Sequence, residues 1–218
     1  MLSYIFLAVF LALAVNVNSI QNFDCDFSSG TLCPGWSQKP FDHHDWTVRN
    51  PSTIQERLDP LPSHSIRYGG PFAHINASRT GWRFSRTTTL VSPLVVLEAG
   101  KEYCLDFWFY QRNTNYGERL NLYAVNHVNV QSLFQSFVSF QDTWNNGLAQ
   151  VKGQGSKIKF EFEAISGRYI RHTNVGLDNI TLYEGQCPPF RFNCSFDLPN
   201  PLCPGWTTSS LDPINPEF

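Results

Sequence analysis

The sequence has little methionine, no marked excess of positive or negative charge, and few long apolar runs. Met1 is the only methionine, and 16 Lys and Arg residues against 18 Asp and Glu residues leave a net charge of −2. Without a basic block or an acidic tail, nothing indicates binding to nucleic acid or to a charged membrane surface. Beyond the N-terminal segment no window approaches 18 apolar residues, so we expect no membrane span within this chain.

The motifs of common catalytic sites are also missing. There is no Gly-x-Ser-x-Gly, no His-Glu-x-x-His, no phosphate-binding Gly-rich loop and no Cys-x₂-Cys zinc cluster. The segment His43-His44-Asp45 comes closest, but adjacent side chains of an extended segment point to opposite faces. Asp106 and Asp178 would need a shared cleft to act as paired acids, and nothing in the sequence indicates one. We therefore predict that the chain is not an enzyme and has no cofactor.

The N-terminus carries a single apolar run, Tyr4–Val15, followed by four residues that end at Ser19. This run is too short to cross a hydrocarbon core about 30 Å thick. Because the small residues Val17 and Ser19 precede a cleavage site, residues 1–19 are predicted to be a secretory signal peptide. The alternative is a buried N-terminal strand. A signal peptide predicts an extracellular location, either secreted or as the ectodomain of a membrane protein.

One stretch of the chain is written twice. Segment Phe23–Trp36 recurs as Phe192–Trp206, and both copies have an aromatic-flanked cysteine followed by Leu-Cys-Pro-Gly-Trp. A fixed period indicates a repeated structural unit. We therefore expect one complete domain over residues 20–187, and a linker with the truncated start of a second domain over residues 188–218. The second piece is too short to bury a core of its own.

Six cysteines follow the predicted signal peptide, and an even number in a secreted chain indicates disulfides. The repeat suggests that each pair within a copy closes a small loop, which leaves the remaining two cysteines to pair with each other. The expected bridges are Cys25–Cys33, Cys194–Cys203 and Cys104–Cys187.

Three Asn-x-Ser/Thr sequons predict N-glycosylation. Asn76 lies in a polar, glycine-flanked region and is the best candidate. Asn179 falls in an apolar strand, and Asn193 adjoins a cysteine of the incomplete unit.

Alternation of apolar and polar residues dominates the complete unit, whereas helical periodicity is nearly absent. Predicted strands begin near Trp46, Gly81, Thr88, Cys104, Leu120 and Lys157. Turn residues separate them at Glu98–Gly100, Asn115–Gly117, Asn145–Gly147 and Gly153–Gly155. This pattern predicts an all-β, antiparallel sandwich or jelly roll.

Two stretches interrupt the regular alternation. Val175 and Leu177 share one parity while Ile180 and Leu182 share the other, so a bulge at Asp178-Asn179 would be needed to keep one face buried. The stretch Asn50–Gly70 has no period and is interpreted as a surface excursion.

The complete unit resembles the MAM domain, the module named after meprin, neuropilin and receptor phosphatase mu. The family's ordered motifs correspond to Cys25–Trp36, Asp42–Trp46, Gly70–His74, Ser92-Pro93, Cys104–Phe109, Phe162–Gly167 and Leu177–Ile180. The resemblance implies a jelly-roll β-sandwich, cysteines paired first to second and third to fourth, and an extracellular adhesive or assembly role.

Some members of the family hold a structural cation near the opening acidic residue and the closing Asp pair. This sequence departs from that pattern, because Ser28, Ala73 and Asn179 stand where the family has acidic residues. Only Asp178 remains as a candidate carboxylate ligand, which is too few for a tight calcium site. We therefore predict weak or no calcium binding.

The leading hypothesis is an extracellular, non-catalytic adhesion and protein-interaction module whose partners are other extracellular or cell-surface proteins, a second copy included. Its candidate interfaces are Asn50–Gly70 and the turn around Tyr116, because loops on rigid scaffolds often carry binding. One alternative is an accessory domain of a larger extracellular protease or receptor phosphatase. Another is a glycan-binding sandwich, in which an exposed aromatic such as Trp82 stacks on sugar.

Overall fold

A computed structural model describes residues 20, 22–50, 70–76, 86–111, 119–136, 144–166 and 174–189. Several predicted features lie outside these ranges: the signal peptide 1–19, most of the excursion Asn50–Gly70, the strand near Gly81, Trp82, the turn around Tyr116, and the second copy Phe192–Trp206.

The described ranges contain eleven strands and no helix. They are β1 Ser37–Gln38, β2 Thr47–Arg49, β3 Phe72–Asn76, β4 Arg86–Val91, β5 Val95–Val96, β6 Glu102–Gln111, β7 Arg119–Val125, β8 Val130–Gln135, β9 Trp144–Lys152, β10 Lys157–Ser166 and β11 Asn174–Glu184. This part of the chain accordingly holds no helix of the length and apolarity that a bilayer crossing requires.

The strands form two antiparallel sheets. Sheet I has the order β1-β4-β10-β7-β8, with β5 pairing β10 beyond the end of β4. Sheet II has the order β2-β3-β11-β6-β9. The predicted fold class, an all-β antiparallel jelly-roll sandwich, is confirmed.

Strand β10 shows how alternation in the sequence builds the core between the sheets. Its inward residues, from Ile158 to Ala164, are at most 8 % exposed, while lysine and glutamate occupy the positions between them. Phe162 meets Phe107 of β6 edge-on, with ring centroids 5.1 Å apart. Since burying one phenylalanine contributes about 1.5–3 kcal/mol, this face accounts for much of the attraction between the sheets.

Strand β11 contains the bulge that its sequence predicts. Pairing with β6 shifts register between Asp178 and Thr181, and Asn179 adopts a positive φ of 48°. The shift lets Val175 before the bulge and Ile180 after it both face the core, each at most 1 % exposed. The change of parity in the sequence was therefore a correct guide to backbone geometry.

The prediction of a turn at Asn145–Gly147 is wrong, because these residues lie inside β9. Gly147 pairs with Phe107 of β6, and a Cβ built on Gly147 would come within 2.4 Å of the Phe107 ring. Glycine at this position leaves room for the buried Phe107 ring, and the strand continues through it. The turns at Glu98–Gly100 and Gly153–Gly155 are confirmed, with positive φ at Gly100 and Gly155.

Candidate functional site

The opening segment of the domain is held against strand β11, in which the candidate ligand Asp178 lies at the bulge. Cys25 and Ile180 exchange two backbone hydrogen bonds, with N···O distances of 2.8 and 2.9 Å. One residue earlier, Asp24 accepts a hydrogen bond from the Leu182 N–H at 3.3 Å. These bonds fix Asp26 of the opening segment beside Asp178 at the bulge.

Two disulfides close this region of the sandwich. Cys25 is joined to Cys33, with 5.6 Å between their Cα atoms, and the bridge closes the opening loop. Cys104 near the start of β6 is joined to Cys187, which follows β11, across 83 residues of sequence. Both bridges have the pairing expected from the repeat. The third expected bridge, between Cys194 and Cys203, lies outside the described residues.

The residues that the two copies share serve folding in the first copy. The indole N–H of Trp36 donates a hydrogen bond to the Phe23 carbonyl oxygen at 3.0 Å. The Phe23 ring packs edge-on against both Trp36 and Phe160 of the core, with centroids 5.5 and 5.6 Å away. The repeated motif therefore marks a folding device that ties the opening segment into the sandwich.

Asp178 is the most perturbed acid of this junction. Its side chain is only 3 % exposed, and burial raises its pKa to about 7. A hydrogen bond from the Asn179 N–H, 2.8 Å away, opposes that rise, whereas the negative charge of Asp26 adds to it. Asp26 is more exposed, and the hydrogen bond it accepts from the Ser28 N–H at 3.0 Å lowers its pKa. Asp26 is not among the residues predicted from the sequence, although an acid directly after the first cysteine was the available signal.

These residues do not fit a calcium ion. Calcium takes six to eight oxygen ligands, and the described residues contain no group of three or more acidic, histidine or cysteine side chains placed to share a metal. Ser28 stands in place of an acid and supplies no carboxylate, and its backbone N–H donates to one Asp26 oxygen. Ala73 is fully buried in β3 and points into the core, where a carboxylate would lack a partner.

Millimolar calcium is accordingly expected to leave the melting temperature unchanged. A ligand that binds only the folded state raises that temperature, so the absence of a shift reports the absence of a tight site. Thermal melting followed by circular dichroism, with calcium and with a chelator, makes the measurement. A calcium-dependent rise of several degrees would contradict this interpretation of the junction.

The buried Asp178 carboxyl also predicts how stability depends on pH. Because its pKa is about 7 in the folded chain against an ordinary 3.8, the folded state holds the extra proton between these values. The contribution of Asp178 to the free energy of unfolding is therefore largest below about pH 4. It falls as the pH rises through 7, by at most about 4 kcal/mol in total.

The variant Asp178→Asn tests this prediction, since asparagine keeps the hydrogen bond from Asn179 without the charge. We expect it to raise the free energy of unfolding by about 2 kcal/mol more at pH 8 than at pH 5, because the folded wild-type carboxyl is charged at pH 8 and protonated at pH 5. Urea unfolding at the two pH values measures the difference. An equal change at both would show that the charge of Asp178 is not what limits stability.

The other sequence-predicted site residues are not brought together by the fold. His43 Nδ1 lies 3.3 Å from the Thr87 N–H and serves the loop beside β4. Asp106 accepts a hydrogen bond from Asn146 at 2.6 Å and pairs across the sheet with Thr181, not with Asp178.

The sequons differ in their settings. Asn76 ends strand β3, Asn179 is half-buried at the bulge, and Asn193 lies outside the described residues. Glycosylation at all three remains a prediction.

Comparison with known proteins gives a family match over most of the chain. The family model described as "MAM domain, meprin/A5/mu" matches residues 25–188. MAM domain-containing glycosylphosphatidylinositol anchor protein 1 is 27 % identical in Mus musculus over 183 residues, which is 80 % of this chain and 18 % of that protein. The Homo sapiens protein is 26 % identical, and the match again covers 80 % of this chain and 18 % of that protein. The chain thus spans less than a fifth of these relatives.

Solved structures share the fold at low identity. TmCBM61, solved in complex with β-1,4-galactotriose, has a TM-score of 0.51 at 18 % identity, covering 77 % of this chain and 99 % of its own. The K1 cleaved adhesin domain of Lys-gingipain from Porphyromonas gingivalis W83 has a TM-score of 0.53 at 16 % identity, covering 75 % and 98 %.

Proposed function

This chain belongs to the MAM domain family, and on that premise we propose that it works outside the cell as a non-catalytic module that binds other proteins. The observation that carries the proposal is the family match over residues 25–188 on a sandwich closed by two disulfides. Such bridges persist in oxidising compartments, which supports an extracellular location. The partners we propose are secreted or cell-surface proteins, a second copy of the chain among them.

The architecture suits a binding scaffold. The described strands form two antiparallel sheets, and two disulfides cross-link the chain. Loops carried on such a scaffold often hold the binding residues. The mouse relative is far longer than this chain and its name describes a glycosylphosphatidylinositol anchor protein, which supports a role beside other domains at a cell surface.

The test is a pairwise binding screen of the full chain, secreted from cultured animal cells, against a panel of cell-surface ectodomains. We expect saturable binding to at least one ectodomain, and loss of that binding when the disulfides are reduced. A parallel arm uses ectodomains treated with glycosidases. Binding that disappears in this arm would favour the glycan-binding alternative, and a screen with no binding at all would count against the proposed function.

A further inference from the structure

The two sheets end in edge strands of very different length. At one end of the strand order the edges are β1 and β2, which have two and three residues. At the other end they are β8, with six residues, and β9, with nine. Very short edge strands are one way in which proteins prevent a further strand from pairing with a sheet. The edge formed by β8 and β9 does not have this protection.

Strand β8 is the exposed member of this edge. Its residues Val130, Gln131 and Ser132 are all exposed, Val130 to 62 %. Strand β9, by contrast, is buried or half-buried from Trp144 to Ala149. Among the described strands β8 pairs with β7 alone. The backbone groups on its other side are therefore open to a further strand.

The hydrogen bonds of the β7–β8 hairpin show which backbone groups of β8 point outward. Bonded and non-bonded residue pairs alternate along an antiparallel ladder. The Asn126 N–H donates to the Asn129 carbonyl at 3.0 Å, so the next bonded position on β8 is Gln131. Gln131 thus directs its N–H and carbonyl toward β7. Val130 and Ser132 direct theirs away from β7, where the described chain supplies no partner strand.

The side chains that usually protect an open edge are missing from this hairpin. From Leu120 to Ser136 the sequence contains no Lys, Arg, Asp, Glu or Pro. One protective feature is present, because pairing with β7 shifts register after Ser132 and leaves Leu133 as an extra residue. The regular part of the edge is therefore Val130–Ser132, the part whose outward backbone groups are exposed.

An open edge requires an extended strand as its complement, and β8 of a second copy is such a strand. A two-fold axis at Gln131 places Val130 of each copy opposite Ser132 of the other. Each of these two pairs can exchange two backbone hydrogen bonds, because the outward groups belong to these residues. No charge is set against a like charge, since β8 carries none.

The other edges in the described ranges are poorer complements. Strands β1 and β5 have two residues each, and β2 has three and ends in Arg49. Strand β9 is too deeply placed along most of its length. The exposed, uncharged edge that matches β8 in length is thus β8 itself.

We infer that β8 of one copy pairs antiparallel with β8 of a second copy and joins sheet I of both copies into one continuous sheet. The contact is isologous, so assembly closes at a dimer. The exposed Val130 side chain is then covered in part by the neighbouring strand. This inference rests on the proposed protein-binding function and names a second copy as the partner.

Amide hydrogen exchange of the full secreted chain, followed by NMR at low and at high protein concentration, tests the pairing without any substitution. The amides of Val130 and Ser132 are expected to exchange at least about tenfold more slowly at high concentration, because they become bonded only in the dimer. The Gln131 amide is the internal control, since β7 already protects it in a single copy. Sedimentation velocity of the same samples should show a monomer–dimer equilibrium.

Charge substitutions test the two-fold register. The double variant Val130→Lys, Ser132→Lys sets lysines directly opposite each other in both pairs, and should weaken dimerisation by about tenfold or more. The double variant Val130→Glu, Ser132→Glu should behave likewise. Mixed, the two variants should form a one-to-one dimer, because each lysine then lies opposite a glutamate.

The matched control is the double variant Leu94→Lys, Val96→Lys. Both residues are exposed aliphatic side chains, at 66 % and 56 %, beside or in β5 and away from β8. The added charge is the same as in the first variant, so the control should dimerise like the wild type. Equal melting temperatures of all variants would exclude unfolding as the cause of any loss.

A wild-type chain that stays monomeric at its highest soluble concentration overturns the inference. So does a dimer in which the amides of Val130 and Ser132 gain no protection, or a mixture of the two charge variants that forms no dimer. These results leave the binding screen with other ectodomains unaffected. A negative screen beside a normal β8 dimer would instead reject binding to other ectodomains and leave this inference standing.

Discussion

Replacing Cys104 and Cys187 together with alanine is expected to lower the free energy of unfolding by about 4–5 kcal/mol. Their bridge spans 83 residues and joins the start of β6 to the chain after β11, so it restricts about half of the unfolded domain. Loop-closure entropy grows with the logarithm of loop length, which gives this value for a loop of such size. Urea unfolding of the secreted chain under non-reducing conditions measures the loss.

The double replacement of Cys25 and Cys33 is the matched control, since it removes the other described bridge. Its loop spans only 8 residues, and the same argument gives a loss of about 2–3 kcal/mol. Equal losses for the two bridges would contradict the entropic account. They would indicate that packing of the sulfur atoms in the core, not restriction of the unfolded chain, determines the effect.

Gly153→Ala is expected to cost about 3 kcal/mol, a large effect for the addition of one methyl group. A Cβ on Gly153 would come within 1.9 Å of the Glu98 carbonyl oxygen, which is backbone and cannot rotate away. The Gly153 N–H donates to the Lys101 carbonyl at 2.8 Å, and its own carbonyl accepts from the Gly100 N–H at 2.9 Å. These hydrogen bonds hold both backbone segments in place. The clash can therefore be relieved only if the turn between β9 and β10 moves away from the turn at Glu98–Gly100.

Gly30→Ala separates this packing effect from backbone strain. Gly30 has a positive φ of 75°, but a Cβ there would meet nothing within 4 Å. Its replacement should cost about 1 kcal/mol, from the left-handed conformation alone. Thermal or urea unfolding of both variants makes the comparison. A cost for Gly153→Ala no larger than for Gly30→Ala would mean that the two turns are not in contact in solution.

The sequence alone determined the features that depend on local period. Alternation from Lys157 to Ala164 specified strand β10 and its buried face, because side chains of a strand alternate between its two sides. The parity change around Asp178 located the bulge for the same reason. The duplicated motif indicated the pairing of Cys25 with Cys33, since a pair of cysteines recurs at the matching positions of the second copy.

Only the tertiary structure decided the features that depend on contacts between distant residues. The sequence Asn145-Asn146-Gly147 is typical of a turn, yet it lies in β9. The Phe107 ring occupies the space that a side chain at Gly147 would fill. The high pKa of Asp178 follows from burial and from Asp26, which is far away in sequence. Local pattern carries no information on which remote segments meet or in what register, so packing of the whole chain had to supply it.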